Sequence, residues 1–196
     1  MQLISYPDYP TKHDGTVFVA GGAPCLHDDL AAARDLRPDP SIPIIGVNQV
    51  FRVLPTMAIV SAHPELLPDR NTIVHEYPSD QRVPKQPHQF ADFVWRGPHL
   101  TGGTSSLAAV MVAKAIGFDE VIACGIPLEQ TGYVEGYREV PDGEFSGKKQ
   151  MTATLQQRRK SWADCCTAGH MRGIYSMSGA TRNILGAPPA LRKEAV

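Results

Sequence analysis

The chain has 196 residues, 42% of them hydrophobic and 20% charged, with a formal net charge of −1. That length can bury a core without metal or disulfide staples, and the near-neutral balance argues against a surface dedicated to nucleic acid. No run approaches the ~20 apolar residues needed to cross a bilayer. Met1 to Asp8 lacks the basic and apolar segments of a signal peptide, so a cytoplasmic location is expected, with no membrane partner.

In chain order, a first strand is expected at Val17–Ala20, then the turn Gly21-Gly22-Ala23-Pro24 and a helix from about Pro24 to Leu36. Proline suits the first helical position because its missing N–H would be unpaired there, and Asp28 and Asp29 favour the helix dipole. Strands at Ile42–Val47 and Met57–Ser61 run into Asn48 and His63. Residues 64–100 form a proline-rich excursion in which Pro64, Pro68, Pro78, Pro84, Pro87 and Pro98 exclude long helices. Short strands are expected within it at Thr72–Val74 and Phe93–Trp95. A second glycine turn, Gly102-Gly103, leads into a helix over Thr104–Ile116 with Thr104 or Ser105 as N-cap. Gly117 ends that helix in a left-handed conformation, and a strand follows at Glu120–Cys124. Residues 126–150, with Tyr133 and Tyr137, read as a long lid loop. A helix at Thr152–Ala168, a strand at Gly173–Met177 and a helical turn to Leu185 complete a single domain over residues 1–187. Residues 188–196 read as a frayed tail.

Short apolar strands alternating with helices point to an α/β, Rossmann-like fold: a mainly parallel sheet with helices on both faces. Such sheets bind ligands outside the carboxyl ends of their strands, at a topological switch point. The candidate nucleotide-binding positions are therefore Gly21, Gly22, Ala23 and Pro24, then Asn48, then Gly103, Thr104 and Ser105, with Gly125 and Tyr133. A helix start carries unpaired N–H groups and partial positive charge that attract phosphate, and glycine lets the backbone approach it closely. Gly-Gly-Ala-Pro is neither a dinucleotide fingerprint nor a P-loop, so no motif supports hydride transfer or ATP hydrolysis.

His63 and His99 are the candidate bases, since displacement at a sugar carbon needs a group to take the acceptor's proton. The plainer reading of each is a structural hydrogen bond at a turn. Arg158-Arg159-Lys160, with Lys148-Lys149, either neutralises a pyrophosphate or forms a solvated helix face. Cys25, Cys124, Cys165 and Cys166 form no C-x-x-C pair and read as reduced structural thiols. Cys25, at a helix start, is where a thiolate would be favoured, against the plainer role of a small buried residue. Glu129, Glu135 and Asp142 are irregularly spaced, and no tightly bound divalent metal or other certain cofactor is expected.

The segments Ala20-Gly21-Gly22-Ala23-Pro24 and Gly46-Val47-Asn48-Gln49, with Thr104-Ser105 opening a helix that ends at Gly117-Phe118, precede Asp119 through Ile126. Together they resemble the bacterial family-42 sialyltransferases. They are equally similar to the related archaeal 6-hydroxymethylpterin pyrophosphokinases and their bacterial and phage members. The resemblance spans roughly residues 16–63 and 100–135. It implies a nucleotide-sugar donor and glycosyl transfer. Gly22 falls at a phosphate-turn position that is usually Asn in those sialyltransferases, and Asn48 matches a nucleotide-contacting Asn. Ser105 matches a hydroxyl near the cytidine nucleotide, and His63 falls where another nucleotide-contacting Asn sits. The chain departs from that pattern at Pro127, where an acidic residue is expected, and at Glu129, where a tyrosine is expected. It has no histidine between Glu129 and Ala168, where those enzymes place their catalytic base. Two alternatives stay open: pyrophosphoryl transfer to a small heterocyclic alcohol, and a non-catalytic, phage-associated nucleotide-binding accessory protein. A homo-oligomer is also left open.

Overall fold

The computed structural model describes residues 2–5, 13–61, 72–75, 93–96, 104–129, 132–137 and 148–190. Along the chain these form β1 (Gln2–Ser5), β2 (Thr16–Ala20), α1 (Leu26–Leu36), β3 (Ile44–Val47) and a 3-10 turn (Asn48–Arg52). They continue with β4 (Ala58–Ser61), β5 (Thr72–His75), β6 (Phe93–Arg96), α2 (Ser105–Ala115) and β7 (Glu120–Cys124). Last come α3 (Lys148–Thr167), β8 (Ile174–Ser176) and α4 (Gly179–Leu185).

The strands make one 8-stranded sheet in the order β1-β6-β5-β4-β3-β2-β7-β8. Every pairing is parallel. From β2 the chain builds outward through β3, β4, β5 and β6, then crosses back to β7 on the other side of β2. Parallel crossovers are right-handed, so reversing the direction of growth moves the connecting helices to the opposite face. Accordingly α1 covers one face, packing Leu26, Leu30 and Ala33 with Phe18, Ala20, Ile122 and Cys124. Helix α2 covers the other, with Val17, Val19, Ile45, Val60, Val121 and Ala123, and Trp162 of α3 joins it there. The period-two alternation along β2 and β7 is what allows one strand to feed two cores.

Helix α2 is apolar nearly all round, and Leu107 through Ala113 are buried. Its N-cap is Thr104, whose hydroxyl accepts from the Leu107 N–H at 3.2 Å. It ends before Gly117, whose φ of +113° is in the left-handed region. Helix α1 begins at Leu26 with Cys25 as N-cap, so Pro24 lies in the preceding turn and not at the first helical position. The turn closes on itself there, the Leu26 N–H donating to Ala23 O at 3.0 Å. Helix α3 starts at Lys148, which shortens the expected lid loop. Strand β1 has no counterpart in the sequence expectations.

The amino edge of the sheet is closed by an ion pair. Arg37, at the end of α1, donates from Nε to Glu120 Oε2 at 2.7 Å and from Nη2 to Glu120 Oε1 at 2.5 Å. Thr16 Oγ1 donates to the same carboxylate at 2.9 Å, and Arg37 Nη2 also donates to Pro189 O at 3.1 Å. Pro188 is buried, so the first part of the expected frayed tail is anchored. The two charged side chains are 10% and 17% exposed, and a nearly buried guanidinium without its carboxylate is costly. Glu120→Ala is expected to lower unfolding free energy by about 3 kcal/mol, measured by urea denaturation, with the midpoint moving and the slope unchanged.

Candidate functional site

Because all strands are parallel, Ala20, Val47, Ser61 and Cys124 end at one edge, and the chain's reversal puts the switch point between β2 and β7. The glycines there bring protein against protein. Gly21 N–H donates to Cys124 O at 2.8 Å, and Ala23 N–H donates to Gly125 O at 3.2 Å. A Cβ on Gly21 would lie 2.5 Å from Gly125 O, and one on Gly125, where φ is +64°, would lie 2.5 Å from Gly21 O. The backbone amides of Gly21 and Ala23 are thus committed to β7.

Beneath this junction lies a carboxylate. Asp29, in the first turn of α1, is 7% exposed. Its Oδ2 accepts from the Gly125 N–H at 2.8 Å and from Ser178 Oγ at 2.6 Å. Ser178 has one hydroxyl proton and gives it to Asp29, so in the 3.4 Å contact between Cys25 Sγ and Ser178 Oγ the thiol is the donor. Burial pushes the Cys25 thiol up, and the Asp29 charge adds to the rise. Cys25 is therefore held as a thiol. An internal anion, Asp29, already answers the positive start of α1.

Above the junction lies a short strap, residues 132–137. Val134 N–H donates to Gly22 O at 2.9 Å, and Tyr137 Oη donates to Val47 O at 3.4 Å. The Tyr137 ring fills the space a Cβ on Gly22 would occupy, and a Cβ on Gly136 would lie 3.3 Å from Val53 Cγ1. The strap therefore spans the ends of β2 and β3 and touches the segment after the 3-10 turn. Tyr133 stacks on Tyr137 with centroids 4.9 Å apart and planes within 6°. Tyr137 is buried, while Tyr133 is 51% exposed.

Beside the strap, Asn48 holds a φ of +53°, a left-handed conformation that asparagine tolerates better than most residues. Its Oδ1 accepts from the fully buried Ser61 at 2.7 Å. The next residue, Gln49, is 6% exposed. The 3-10 turn packs through Val50 on the α1 side of the sheet.

The contacts thus link Gly21 to Gly125, and Gly22 through Tyr137 to Tyr133 and to Val47, the residue before Asn48. Ala23 is buried and Pro24 exposed in the adjoining turn. Thr104 and Ser105 reach the same edge from the opposite face, and the Thr104 hydroxyl caps its own helix and contacts Ser106 Oγ at 2.6 Å. His63, His99 and Gly103 lie outside the described residues, as does Asp142. In the basic run, Arg159 Nε donates to Leu128 O at 3.0 Å, tying α3 to the loop after β7, and Lys160 pairs with Asp164 in solvent.

Asp29, Ser178 and Gln49 were not among the sequence candidates. Asp29 was visible only as a helix-dipole residue, and Ser178 carried no local signal. Gln49 stood beside Asn48 in the motif Gly46-Val47-Asn48-Gln49. Among the described residues no group of three or more His, Cys, Asp or Glu could hold a metal ion, and no helix is long and apolar enough to cross a membrane. Comparison with protein-family models, with curated proteins and with solved structures gives no match.

Removing the Asp29 carboxylate leaves a buried N–H and a hydroxyl without their acceptor. Asp29→Ala is expected to cost about 3 kcal/mol. Hydrogen exchange should locate the loss at Gly125 and around Ser178, with little change at β4.

Proposed function

We propose that this chain binds a nucleotide or nucleotide sugar at the carboxyl edge of its sheet, with the base on Tyr133 and the sugar beside Asn48. One observation carries this reading: an exposed aromatic ring, backed by a buried one that packs over the carboxyl ends of β2 and β3, stands one strand away from the switch point of an all-parallel sheet. Such a ring offers a stacking platform to any base, and the edge around it is where sheets of this class take their ligands. The start of α2, with Thr104, Ser105 and Ser106, supplies amides and hydroxyls for phosphate from the opposite face.

The reaction we propose is transfer of a glycosyl group from a nucleotide sugar. The acceptor hydroxyl attacks the anomeric carbon, the bond to the nucleotide phosphate breaks, and a base takes the hydroxyl proton. His63 is the first candidate for that base and His99 the second. Binding without transfer is a second reading, favoured by the Gly21–Ala23 turn. Its Gly21 and Ala23 amides donate to β7, so they are not available to steady charge on a departing phosphate.

A thermal-shift series with cytidine, uridine, guanosine and adenosine nucleotides tests the proposal. A true ligand at ~100 times its Kd adds about 2.7 kcal/mol of stability. Tyr133→Ala should weaken that ligand by about 1–3 kcal/mol while leaving the ligand-free melt nearly unchanged, since the ring is half exposed. His63→Asn should keep the nucleotide-induced shift and abolish sugar transfer. Full turnover by that variant would remove His63 from the mechanism, and binding by the wild type without turnover on any donor sugar would select the second reading.

A further inference from the structure

Gln49 presents a buried acceptor with nothing to accept. The residue is 6% exposed, and Oε1 is buried with no hydrogen-bond partner. Buried carbonyls are rarely left this way, because desolvation without a replacement bond is costly. The next residue back, Asn48, is held at a φ of +53°. A strained conformation and an unsatisfied buried group side by side are a pairing found at binding sites, where a ligand resolves what the empty protein leaves open.

The neighbourhood says how a ligand would arrive. Asn48 Oδ1 is occupied by the Ser61 hydroxyl, so the Asn48 amide offers its Nδ2 as donor. Among the described residues Nδ2 has no acceptor. Two adjacent amides thus present one donor and one acceptor at the end of β3. The 132–137 strap lies over this end, through Tyr137 on Val47 O and Gly136 against Val53.

Resting on the nucleotide reading above, we infer that Gln49 Oε1 receives a hydrogen bond from the bound nucleotide. The ligand must bring an N–H or O–H donor to that point, from a ribose hydroxyl or from an exocyclic base amine. A nucleotide lacking the donor leaves the carbonyl buried and unpaired, so Gln49 acts as a selector between nucleotides.

Isothermal titration with the four ribonucleoside monophosphates, on the wild-type chain and on Gln49→Met, tests this. Methionine keeps the volume and removes the orphan carbonyl, so the variant should melt at or above the wild type without ligand. It should bind the preferred monophosphate at least about tenfold more weakly. On the wild type, a matching loss with the 2′,3′-dideoxy form assigns the donor to ribose. A matching loss from the preferred monophosphate to its counterpart without the exocyclic amine, uridine for cytidine or inosine for adenosine or guanosine, assigns it to the base amine. Wild-type affinity in Gln49→Met would overturn the inference and leave the nucleotide reading standing. No binding of any monophosphate at millimolar concentration would overturn both. If Gln49→Met failed to melt cooperatively, the wild-type comparisons decide, and unchanged affinity for both the dideoxy form and the form lacking the exocyclic amine would reject the inference.

Discussion

One oxygen atom organises the carboxyl edge of this protein. Asp29 Oδ2 accepts from the Gly125 N–H and the Ser178 hydroxyl, and so joins the start of α1, the end of β7 and the start of α4. A carboxylate this buried is tolerated only when donors surround it. Losing either donor while the carboxylate stays buried would leave its charge short of a partner. With Arg37 and Glu120 at the amino edge, the sheet is gripped at both ends by ionised groups, and its middle by the two apolar cores.

That arrangement redistributes the roles within the candidate site. The first glycine turn has the look of an anion cradle, yet Gly21 and Gly125 make room for each other and Gly22 makes room for Tyr137. What the edge offers a ligand is shifted toward β3: a stacked tyrosine pair, a left-handed asparagine and a buried glutamine. Rings and neutral amides are groups that suit a base and a sugar better than a phosphate, in keeping with the nucleotide reading proposed above.

Much of the layout was legible in the residues. Thr104 at the start and Gly117 at the end bracket α2, because capping and positive φ are local requirements that single residues meet. Strands β2 and β7 were legible as short apolar runs between turns, and Tyr133 stood out in a glycine-rich loop. Strand β1 was not, since Gln2–Ser5 is short and pairs only with β6, far along the chain. The glycines declared that something comes close, without saying whether it is a ligand or another strand. The partners of Asp29 lie 96 and 149 residues away, a separation no local pattern encodes. Whether an acceptor such as Gln49 Oε1 finds a donor is likewise a property of packing and not of spacing.

Those separations also bear on the order in which the molecule can be made. Synthesis proceeds from the N-terminus, so α1 leaves the ribosome long before the chain that supplies Gly125 and Ser178 exists. Until then, burying Asp29 against β2 would strand a charge, and the nascent helix does better with that face in water. The β2–β6 half is consequently a poor candidate for early, self-sufficient folding. The native set of partners around Asp29 is complete only once residue 178 has been made.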